Sequence, residues 1–219
     1  MQSQLAYKLV VFDWDGTLMD SLGRIAQCMQ VAAEDLGIVP AQTEQVHNIV
    51  GLALDIAIRR LHPQLTEPQV ELMRLRYSHH YVEREANPSP FYDGVTQMLT
   101  QLHGHGALLS VATGKSRKGL DRVFASHNVG GLFHSSRCAD ETRSKPEPDM
   151  LLEIIDYHGV KPEQAVMIGD TEFDLEMASR ARVPSIGVGW GAHSVSRLQK
   201  HSPKVCVTTV AELISQLYV

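Results

Sequence analysis

The sequence lacks the features that define several large classes of protein. Its 219 residues include only three cysteines, Cys28, Cys138 and Cys206, which stand far apart. An odd, widely spaced set excludes a disulfide framework and a cysteine-rich zinc site, so we expect free, buried thiols in the reducing cytoplasm. No apolar run approaches the ~20 residues that a bilayer span needs, which excludes a membrane protein. The first residues lack the basic segment of a signal peptide, and the apolar run Leu9–Phe12 is too short for one.

An excess of positive charge is also missing. Lysine and arginine number 20 against 25 aspartates and glutamates, which gives a formal net charge of −5. No basic stripe is seen along the chain, so we expect no nucleic-acid partner. What is present is a 43% share of hydrophobic residues, enough at this length for a core that needs no cross-links. The composition therefore indicates a soluble α/β protein, either one large domain or a core with a smaller insert.

Short apolar runs alternate with amphipathic stretches over most of the chain. Each run is followed by a turn signal and then by helical spacing, which is typical of βα units in a parallel sheet. We predict strands at Lys8–Phe12, Leu108–Ala112, Ser135–Ala139, Ala165–Ile168 and Ser185–Val188, with Val205–Val207 as a sixth at an edge. Asp93 and Thr209 occupy positions where helix N-caps are expected.

One long interval, which follows the first strand, contains only helical patterns. Its apolar residues recur at helical spacing, and three breaks separate the helices, at Gly37–Pro40, His62–Pro63 and Asn87–Pro90. The residues with this spacing are Leu18, Leu22, Ile25, Met29, Ala32, Leu36, less regularly Ile49–Leu61, and Val70, Met73, Tyr77 and Tyr81. We therefore predict a Rossmann-like doubly wound parallel sheet (residues 1–16 and 88–219) with an inserted all-helical cap (residues 17–87). We expect the cap to move on hinges at Thr17–Leu18 and Asn87–Pro90.

The first polar motif follows the first strand. Asp13 and Asp15 are two residues apart, directly before Gly16. Two solvated acids in a turn would have the same pattern. A helix-loop-helix calcium site is excluded, because Leu18 and Arg24 stand where it needs a glycine and a glutamate.

A second motif ends the next strand at Thr113, and we expect Gly114 to open a helix there. Backbone N–H groups at a helix start favour an anion, although Thr113 alone could be an ordinary N-cap. The Gly-Lys-Ser sequence is not a nucleotide P-loop, because Leu109 stands where that motif needs a glycine.

Two further motifs carry a lysine and two acids. Lys145 lies in a loop that Pro146 stiffens, although an isolated lysine is usually a surface charge. Asp170 follows an apolar strand, and Asp174 lies one helical turn later. Asp174 also fits an ordinary acid at a helix N-terminus, whereas Asp170, at the strand end, fits that interpretation less well.

These motifs should meet, because ligands of doubly wound sheets bind at the carboxyl ends of the strands. Four carboxylates would repel one another there, and Mg²⁺, which prefers oxygen ligands, would relieve that repulsion. A site that joins Mg²⁺, a lysine and backbone amides is suited to phosphate. The residues concerned are Asp13, Asp15, Thr113, Lys145, Asp170 and Asp174.

With four motifs in this order, the chain resembles the haloacid dehalogenase-like hydrolase superfamily, in the phosphoglycolate-phosphatase-like branch with a helical cap. The motifs are Asp13-Trp14-Asp15-Gly16-Thr17, Thr113, Lys145-Pro146 and Gly169-Asp170 with Asp174. The resemblance extends over essentially the whole chain. It implies a five-stranded Rossmann-like core and a Mg²⁺-dependent phosphatase that acts on a small phosphomonoester through an aspartyl-phosphate.

The resemblance also implies a role for each motif residue. Asp13 would be the nucleophile, and Asp15 the general acid and base. Thr113 and the amide of Gly114 would hold the phosphoryl oxygens. Lys145 would neutralise the nucleophile and the phosphoryl group.

The metal is assigned in the same way. Asp170 would bind Mg²⁺ together with the Asp13 carboxylate and the backbone carbonyl of Asp15. Asp174 would orient these ligands.

Single positions separate the chain from relatives with other chemistry. Dehalogenase and phosphonate-cleaving relatives lack the acid at the position of Asp15. Phosphonate-cleaving relatives also use a lysine from the cap, whereas residues 18–82 contain no lysine. Sugar-phosphate mutase relatives usually carry valine where Thr17 stands. The polar Thr17 fits a phosphatase, and a mutase is therefore the alternative enzyme. A non-enzymatic scaffold or regulator is the third hypothesis, which the retained acids and lysine disfavour.

The substrate and the oligomeric state are left open by the sequence. Arg24, Arg59 and Arg60 are candidates for gripping an anionic leaving group, although each also fits a helix surface charge. The turn Trp190–His193 could reach the cap hinge, or could be a tight glycine loop with a packed tryptophan.

Overall fold

The computed structural model describes residues 4–83 and 88–219, and its centre is a six-stranded sheet. The strands are β1 Leu9–Phe12, β2 Leu108–Thr113, β3 Ser135–Cys138, β4 Ala165–Gly169, β5 Ser185–Val188 and β6 Val205–Val207. All neighbours are parallel, in the order β3-β2-β1-β4-β5-β6. Because this order runs outward from β1 in both directions, the sheet is the doubly wound, Rossmann-like sheet that the sequence predicts.

The strand predictions agree with these bounds to within one residue at each end. The count of five strands that the family resemblance implied is wrong for the described residues, because β6 pairs with β5 at the edge of the sheet. The two central strands β1 and β4 are easy to predict because helices cover both faces of the sheet, so their residues are apolar throughout.

Ten helices accompany the sheet within the described residues. They are α1 Leu22–Glu34, α2 Thr43–His47, α3 Leu54–Leu61, α4 Glu67–Glu83, α5 Val95–Gly104, α6 Arg117–His127, α7 Asp149–His158, α8 Glu172–Arg180, α9 Val195–Leu198 and α10 Val210–Gln216. Helices α1 to α4 follow β1 without an intervening strand, and α5 to α10 alternate with the remaining strands.

Alternate residues of β1 face opposite sides of the sheet, as the two-residue period of a strand requires. Val10 and Phe12 pack in a hydrophobic cluster with residues of α5 and α10. Leu9 and Val11 pack in a second cluster with residues of α7 and α8. The sheet is thereby fixed from both sides, and its carboxyl edge becomes a rigid mount for the residues that follow each strand.

Helices α1 to α4 share a hydrophobic cluster distinct from the two that flank the sheet, and Phe173 of α8 also belongs to it. Met29 of α1, Val46 of α2, Ile58 of α3 and Met73 of α4 all belong to it, and each is almost fully buried. The helical spacing predicted α1, α3 and α4, but α2 is too short to show a period. Leu18 and Leu36 were assigned to the same spacing and lie outside α1.

The two connections of the helical segment run side by side. Met19 and Phe91 form an antiparallel bridge, and the Tyr92 N–H donates to the Leu18 carbonyl at 3.0 Å. Asn87, which begins the second predicted hinge, lies outside the described residues.

One of the two predicted N-caps is wrong. Helix α5 is preceded by Gly94 rather than Asp93, because Gly94 has a left-handed φ of 84° and itself takes the cap position. Thr209 caps α10 as predicted, and its hydroxyl accepts from the Glu212 N–H at 3.1 Å.

The helix after β2 also begins later than predicted. Gly114 does not open it; α6 begins at Arg117, because the Ser116 hydroxyl accepts from the Gly119 N–H at 3.2 Å and caps the helix there.

None of the described helices combines the length and the apolar character that crossing a bilayer requires. None of the three cysteines forms a disulfide; Cys28 and Cys138 are buried as expected, whereas Cys206 is half-buried.

Candidate active site

Asp13 lies directly beyond β1 at the carboxyl edge of the sheet. Its N–H donates to the Ile168 carbonyl at 2.9 Å, so the backbone is fixed by the neighbouring strand. The side chain is 1% exposed, and its Oδ1 accepts from the Lys145 Nζ at 2.6 Å. Asp13 is thus a rigidly held carboxylate in contact with a cation.

The turn after Asp13 brings Asp15 to the same edge. Trp14 between them is fully buried against the rings of Phe91, Phe124 and Phe133. Gly16 has a φ of +84°, and a Cβ there would lie 2.3 Å from Asp170 Oδ2, so only glycine fits.

The Asp15 carboxylate has its own partners. The Ser21 hydroxyl donates to Oδ1 at 2.6 Å, and Lys115 Nζ lies 2.9 Å from Oδ2. The two acids of the first motif therefore face one region but are paired with different lysines.

Lys145 is fully buried between two carboxylates. Its Nζ lies 2.6 Å from Asp13 Oδ1 and 2.6 Å from Asp174 Oδ1. Burial lowers the pKa of Lys145, but the two carboxylates more than offset this and hold the pKa above its usual range. The lysine is consequently a permanent positive charge, and the alternative of a surface lysine is wrong.

Asp170 follows β4 and is also fully buried. It accepts from the Thr17 hydroxyl at 2.7 Å and from the Ala192 N–H at 2.7 Å. Burial and the neighbouring Asp174 raise the pKa of Asp170 to about 7. The Asp170 carboxyl is thus fixed by two hydrogen bonds, while its surroundings destabilise the ionised form relative to the neutral form.

Asp174 combines the two interpretations that the sequence allowed. Its Oδ2 accepts from the N–H and the hydroxyl of Thr171, which is the N-terminal cap arrangement of α8. Its Oδ1 faces Lys145 instead. The Asp174 carboxylate therefore caps helix α8 and also contacts Lys145 in the site.

The acid cluster has the character of a cation site. Asp13, Asp170 and Asp174 each offer a carboxylate oxygen within 4.8 Å of the others, and all are buried. Asp13 Oδ2 has no hydrogen-bond partner among the described residues. Burial, together with Asp174 and Asp170, raises the pKa of Asp13 well above its usual value even though Lys145 lowers it. Three buried acids against one lysine leave negative charge that a hard divalent cation would balance, so these residues fit Mg²⁺.

Thr113 and Gly114 lie on the other side of Asp13. Thr113 ends β2 and is 1% exposed, and its hydroxyl accepts from the Lys115 N–H at 3.2 Å. A Cβ on Gly114 would lie 2.6 Å from the Leu52 carbonyl and 2.7 Å from the Gly51 carbonyl. The loop before α3 therefore rests directly on this position of the core.

A cleft of about 900 Å³ opens in front of these residues, between the sheet edge and helices α1, α3 and α4. Asp13, Asp15, Thr113 and Gly114 line it, whereas Lys145, Asp170 and Asp174 lie behind Asp13. The structure thus brings all seven predicted residues to one place.

Several further residues of the site were not singled out from the sequence. Ser21 precedes α1, but its hydroxyl contacts Asp15 instead of capping the helix. Thr17 served only to distinguish mutases, yet its hydroxyl binds Asp170. Lys115 was considered only as part of a P-loop; the signal that could have revealed it is its place two residues beyond Thr113 at the strand edge.

The Trp190–His193 turn contacts both the site and the hinge. The Trp190 Nε1 donates to the Thr17 carbonyl at 3.1 Å. The His193 N–H donates to the Asp170 carbonyl at 3.2 Å, and a Cβ on Gly191 would lie 2.3 Å from Asp170 atoms. The turn reaches the first predicted hinge and holds Asp170 in place.

None of the three arginine candidates lines the cleft. Arg59 pairs with Glu67, and Arg60 lies over the Phe173 ring at 5.3 Å. The Arg24 guanidinium lies 5.6 Å from the centre of the Tyr81 ring.

Comparisons with known proteins agree with this geometry. A family model described as "Haloacid dehalogenase-like hydrolase" matches residues 10–188. The chain is 30% identical over 210 residues to "Probable phosphatase IndB" of Dickeya dadantii, covering 94% of this chain and 91% of that one. It is 28% identical over 206 residues to a phosphoglycolate phosphatase of Aliivibrio fischeri, covering 90% and 91%. A solved structure described as a predicted phosphatase from Clostridium acetobutylicum superposes with a TM-score of 0.86 at 25% identity, covering 96% and 97%.

Proposed function

The chain belongs to the haloacid dehalogenase-like hydrolase family, and we propose that it is a Mg²⁺-dependent phosphatase that hydrolyses a small phosphomonoester through a phosphoenzyme on Asp13. One observation carries the proposal. Asp13 Oδ2 is a buried carboxylate oxygen without a hydrogen-bond partner among the described residues, while Oδ1 is held by Lys145. Such an oxygen is costly to bury, and a reacting phosphorus or a metal would give it a partner.

We propose the same division of the chain that the sequence suggested, with residues 1–16 and 88–219 as the core and residues 17–87 as the cap. The separate hydrophobic cluster of α1 to α4 supports it. So does the contact at Gly114, where the carbonyls of Gly51 and Leu52 come close to the end of β2.

Asp13, Asp170 and the backbone carbonyl of Asp15 would hold Mg²⁺, and Asp174 would orient them. When bound, the ion supplies positive charge to the phosphoryl oxygens. Lys145 adds a second positive charge at Asp13 Oδ1 and keeps the Asp13 carboxylate in one orientation.

The first step is an in-line attack by Asp13 on phosphorus. The new bond joins a carboxylate oxygen to phosphorus, and the bond from phosphorus to the leaving oxygen breaks. Asp15, protonated at this stage, donates its proton to the leaving oxygen. The Thr113 hydroxyl and the Gly114 amide hold the phosphoryl oxygens in place.

The second step releases phosphate. Asp15, now ionised, takes a proton from a water molecule, whose oxygen attacks phosphorus as the bond to Asp13 breaks. Ser21 and Lys115 keep the Asp15 carboxylate in one orientation for both proton transfers.

The proposal is tested by phosphate release from p-nitrophenyl phosphate. We expect turnover with Mg²⁺, loss of turnover with a chelator, and recovery when Mg²⁺ is added back. Interconversion of hexose phosphates without phosphate release would favour the mutase alternative. No turnover of any phosphomonoester would overturn the proposal. The three cysteines form no disulfide, which supports a reducing, cytoplasmic setting.

A further inference from the structure

The size of the cleft is the first indication of which leaving group it binds. Its volume of about 900 Å³ lies in front of Asp13 and Asp15, where the leaving group of a phosphomonoester would point. Pockets of about 300–1,000 Å³ typically enclose drug-sized ligands. A two-carbon leaving group such as glycolate would leave most of this space to water.

The walls that the cap contributes are largely apolar. Helix α1 supplies Ile25 and Met29, and the start of α3 supplies Leu54 and Ala57. Helix α4 supplies two aromatic rings, those of Tyr77 and Tyr81, with centres 5.8 Å apart and an interplanar angle of 33°. These side chains offer contact area for a hydrocarbon or ring-bearing group.

Among the described residues, four lysines and arginines line the cleft, namely Arg74, Lys115, Lys118 and Arg122. Lys115 and Arg74 are both paired with acids of the protein. Lys115 Nζ lies 2.9 Å from Asp15 Oδ2 and donates to the Tyr81 hydroxyl at 3.2 Å. Arg74 is paired with Glu71 at 2.6 Å. A carboxylate on the leaving group would have to compete with Asp15 for Lys115, which would disturb the acid that the reaction needs.

We propose that the preferred substrates are phosphomonoesters whose leaving group carries an extended, uncharged aliphatic or aromatic body, rather than the small carboxylate of phosphoglycolate. This inference rests on the proposed phosphatase function and specifies its substrate class. The apolar cap wall binds the body of the leaving group, while the edge of the sheet binds the phosphate.

The test uses a series of esters with similar leaving oxygens. Rates with Mg²⁺ are measured for ethyl, butyl, hexyl and benzyl phosphate and for phosphoglycolate. Each methylene buried against the wall should raise kcat/KM by about fourfold. Hexyl and benzyl phosphate should exceed both ethyl phosphate and phosphoglycolate. A flat series with phosphoglycolate as the best substrate would overturn the inference.

Two substitutions in α4 distinguish an effect of the cleft wall from an effect of the exposed helix surface. Leu75 lines the cleft and is 50% exposed, whereas Leu72 is 42% exposed on the same helix and does not line it. Leu75→Asp should lower kcat/KM for hexyl phosphate by about fourfold to tenfold and leave ethyl phosphate within about twofold. Leu72→Asp should change neither. Equal effects of the two substitutions would contradict the assignment.

Binding provides a readout that does not depend on turnover. Calorimetry with Mg²⁺ should give a lower Kd for hexylphosphonate than for ethylphosphonate, and Leu75→Asp should remove that difference. The same preference without hydrolysis of any ester would remove the proposed phosphatase function and leave the cleft assignment standing. Hydrolysis of the esters without any chain-length preference would leave the proposed phosphatase function standing and overturn the cleft assignment.

Discussion

The carboxylates of Asp13 and Asp15 are two residues apart but have different surroundings. Asp13 is buried beside Lys145 and two other acids, whereas Asp15 is held by Lys115 and Ser21 at the edge of the cleft. This asymmetry suits one residue to attack phosphorus and the other to move protons. Exchanging either acid for its amide should therefore have distinct consequences.

Asp13→Asn should abolish turnover, because no phosphoenzyme can form. Asp15→Asn should slow turnover by about 10²–10⁴-fold, the usual value of general acid–base catalysis. With p-nitrophenyl phosphate, whose leaving group scarcely needs a proton, the Asp15→Asn phosphoenzyme should still form and then persist. Rapid-quench mass spectrometry of the peptide that contains Asp13 measures this. A phosphate adduct in Asp13→Asn, or wild-type turnover in that variant without any adduct, would rule out the covalent mechanism.

Asp170 links metal binding to stability. Its pKa of about 7 in the folded protein stands above the usual 3.8, so the metal-free fold loses stability as pH rises from about 4 through about 7. Asp170→Asn should raise the unfolding free energy of the metal-free protein at pH 8 by on the order of 1–3 kcal/mol. The same variant should bind Mg²⁺ weakly and lose activity.

Urea unfolding at pH 8 and pH 4, with and without Mg²⁺, measures both effects. The stabilisation should shrink at pH 4, where the folded wild type holds Asp170 in its neutral form, as the amide does, and Mg²⁺ should stabilise only the wild type. A variant with unchanged dependence on Mg²⁺ would remove Asp170 from the metal ligands.

At the scale of the elements, the sheet was predictable and the loops were less so. Strands such as Leu9–Phe12 are apolar on both faces, which marks them in any sequence. The cap of α5 was not predictable from Asp93, because the left-handed backbone of Gly94 depends on the surrounding turn. Lys115 could not be paired with Asp15 and Tyr81, because these residues are far apart in the sequence and meet only in the folded structure.

The contact between the cap loop and the core depends on one glycine. Gly114→Ala would place a Cβ 2.6 Å from the Leu52 carbonyl, and a backbone oxygen cannot yield without moving the loop. We expect kcat/KM to fall by about 10²-fold, because a displacement of about 1 Å has that cost in an active site.

Gly131→Ala is the matched control, because a Cβ there has no atom within 4 Å. It should retain wild-type kinetics. Steady-state rates with p-nitrophenyl phosphate suffice for the comparison, and wild-type activity in Gly114→Ala would show that the loop is not held at this position.

At the scale of the whole molecule, at least two polar contacts join the proposed cap to the proposed core. In one of them the Lys115 Nζ donates to the Tyr81 hydroxyl at 3.2 Å. In the other, Arg197 Nη1 donates to Asn48 Oδ1 at 2.5 Å. Both contacts must break if the cap opens to exchange substrate and product. The Lys115 contact lies beside Asp15, whereas the Asn48–Arg197 contact would stabilise the closed arrangement away from the chemistry.

Asn48→Ala should therefore shift the cap toward an open arrangement. The lost hydrogen bond is exposed, so about 1 kcal/mol is expected, or about a fivefold change in the closed-to-open ratio. The distance between spin labels attached through unnatural amino acids at positions 72 and 157 reports on the cap and the core. Mg²⁺ with vanadate should narrow the wild-type distribution to the closed distance. Glu44→Ala, an exposed substitution in the short helix α2 that Asn48 directly follows, should behave as wild type. One unchanged distance in all conditions would contradict a moving cap, and equal behaviour of the two variants would show that the Asn48–Arg197 contact does not stabilise closure.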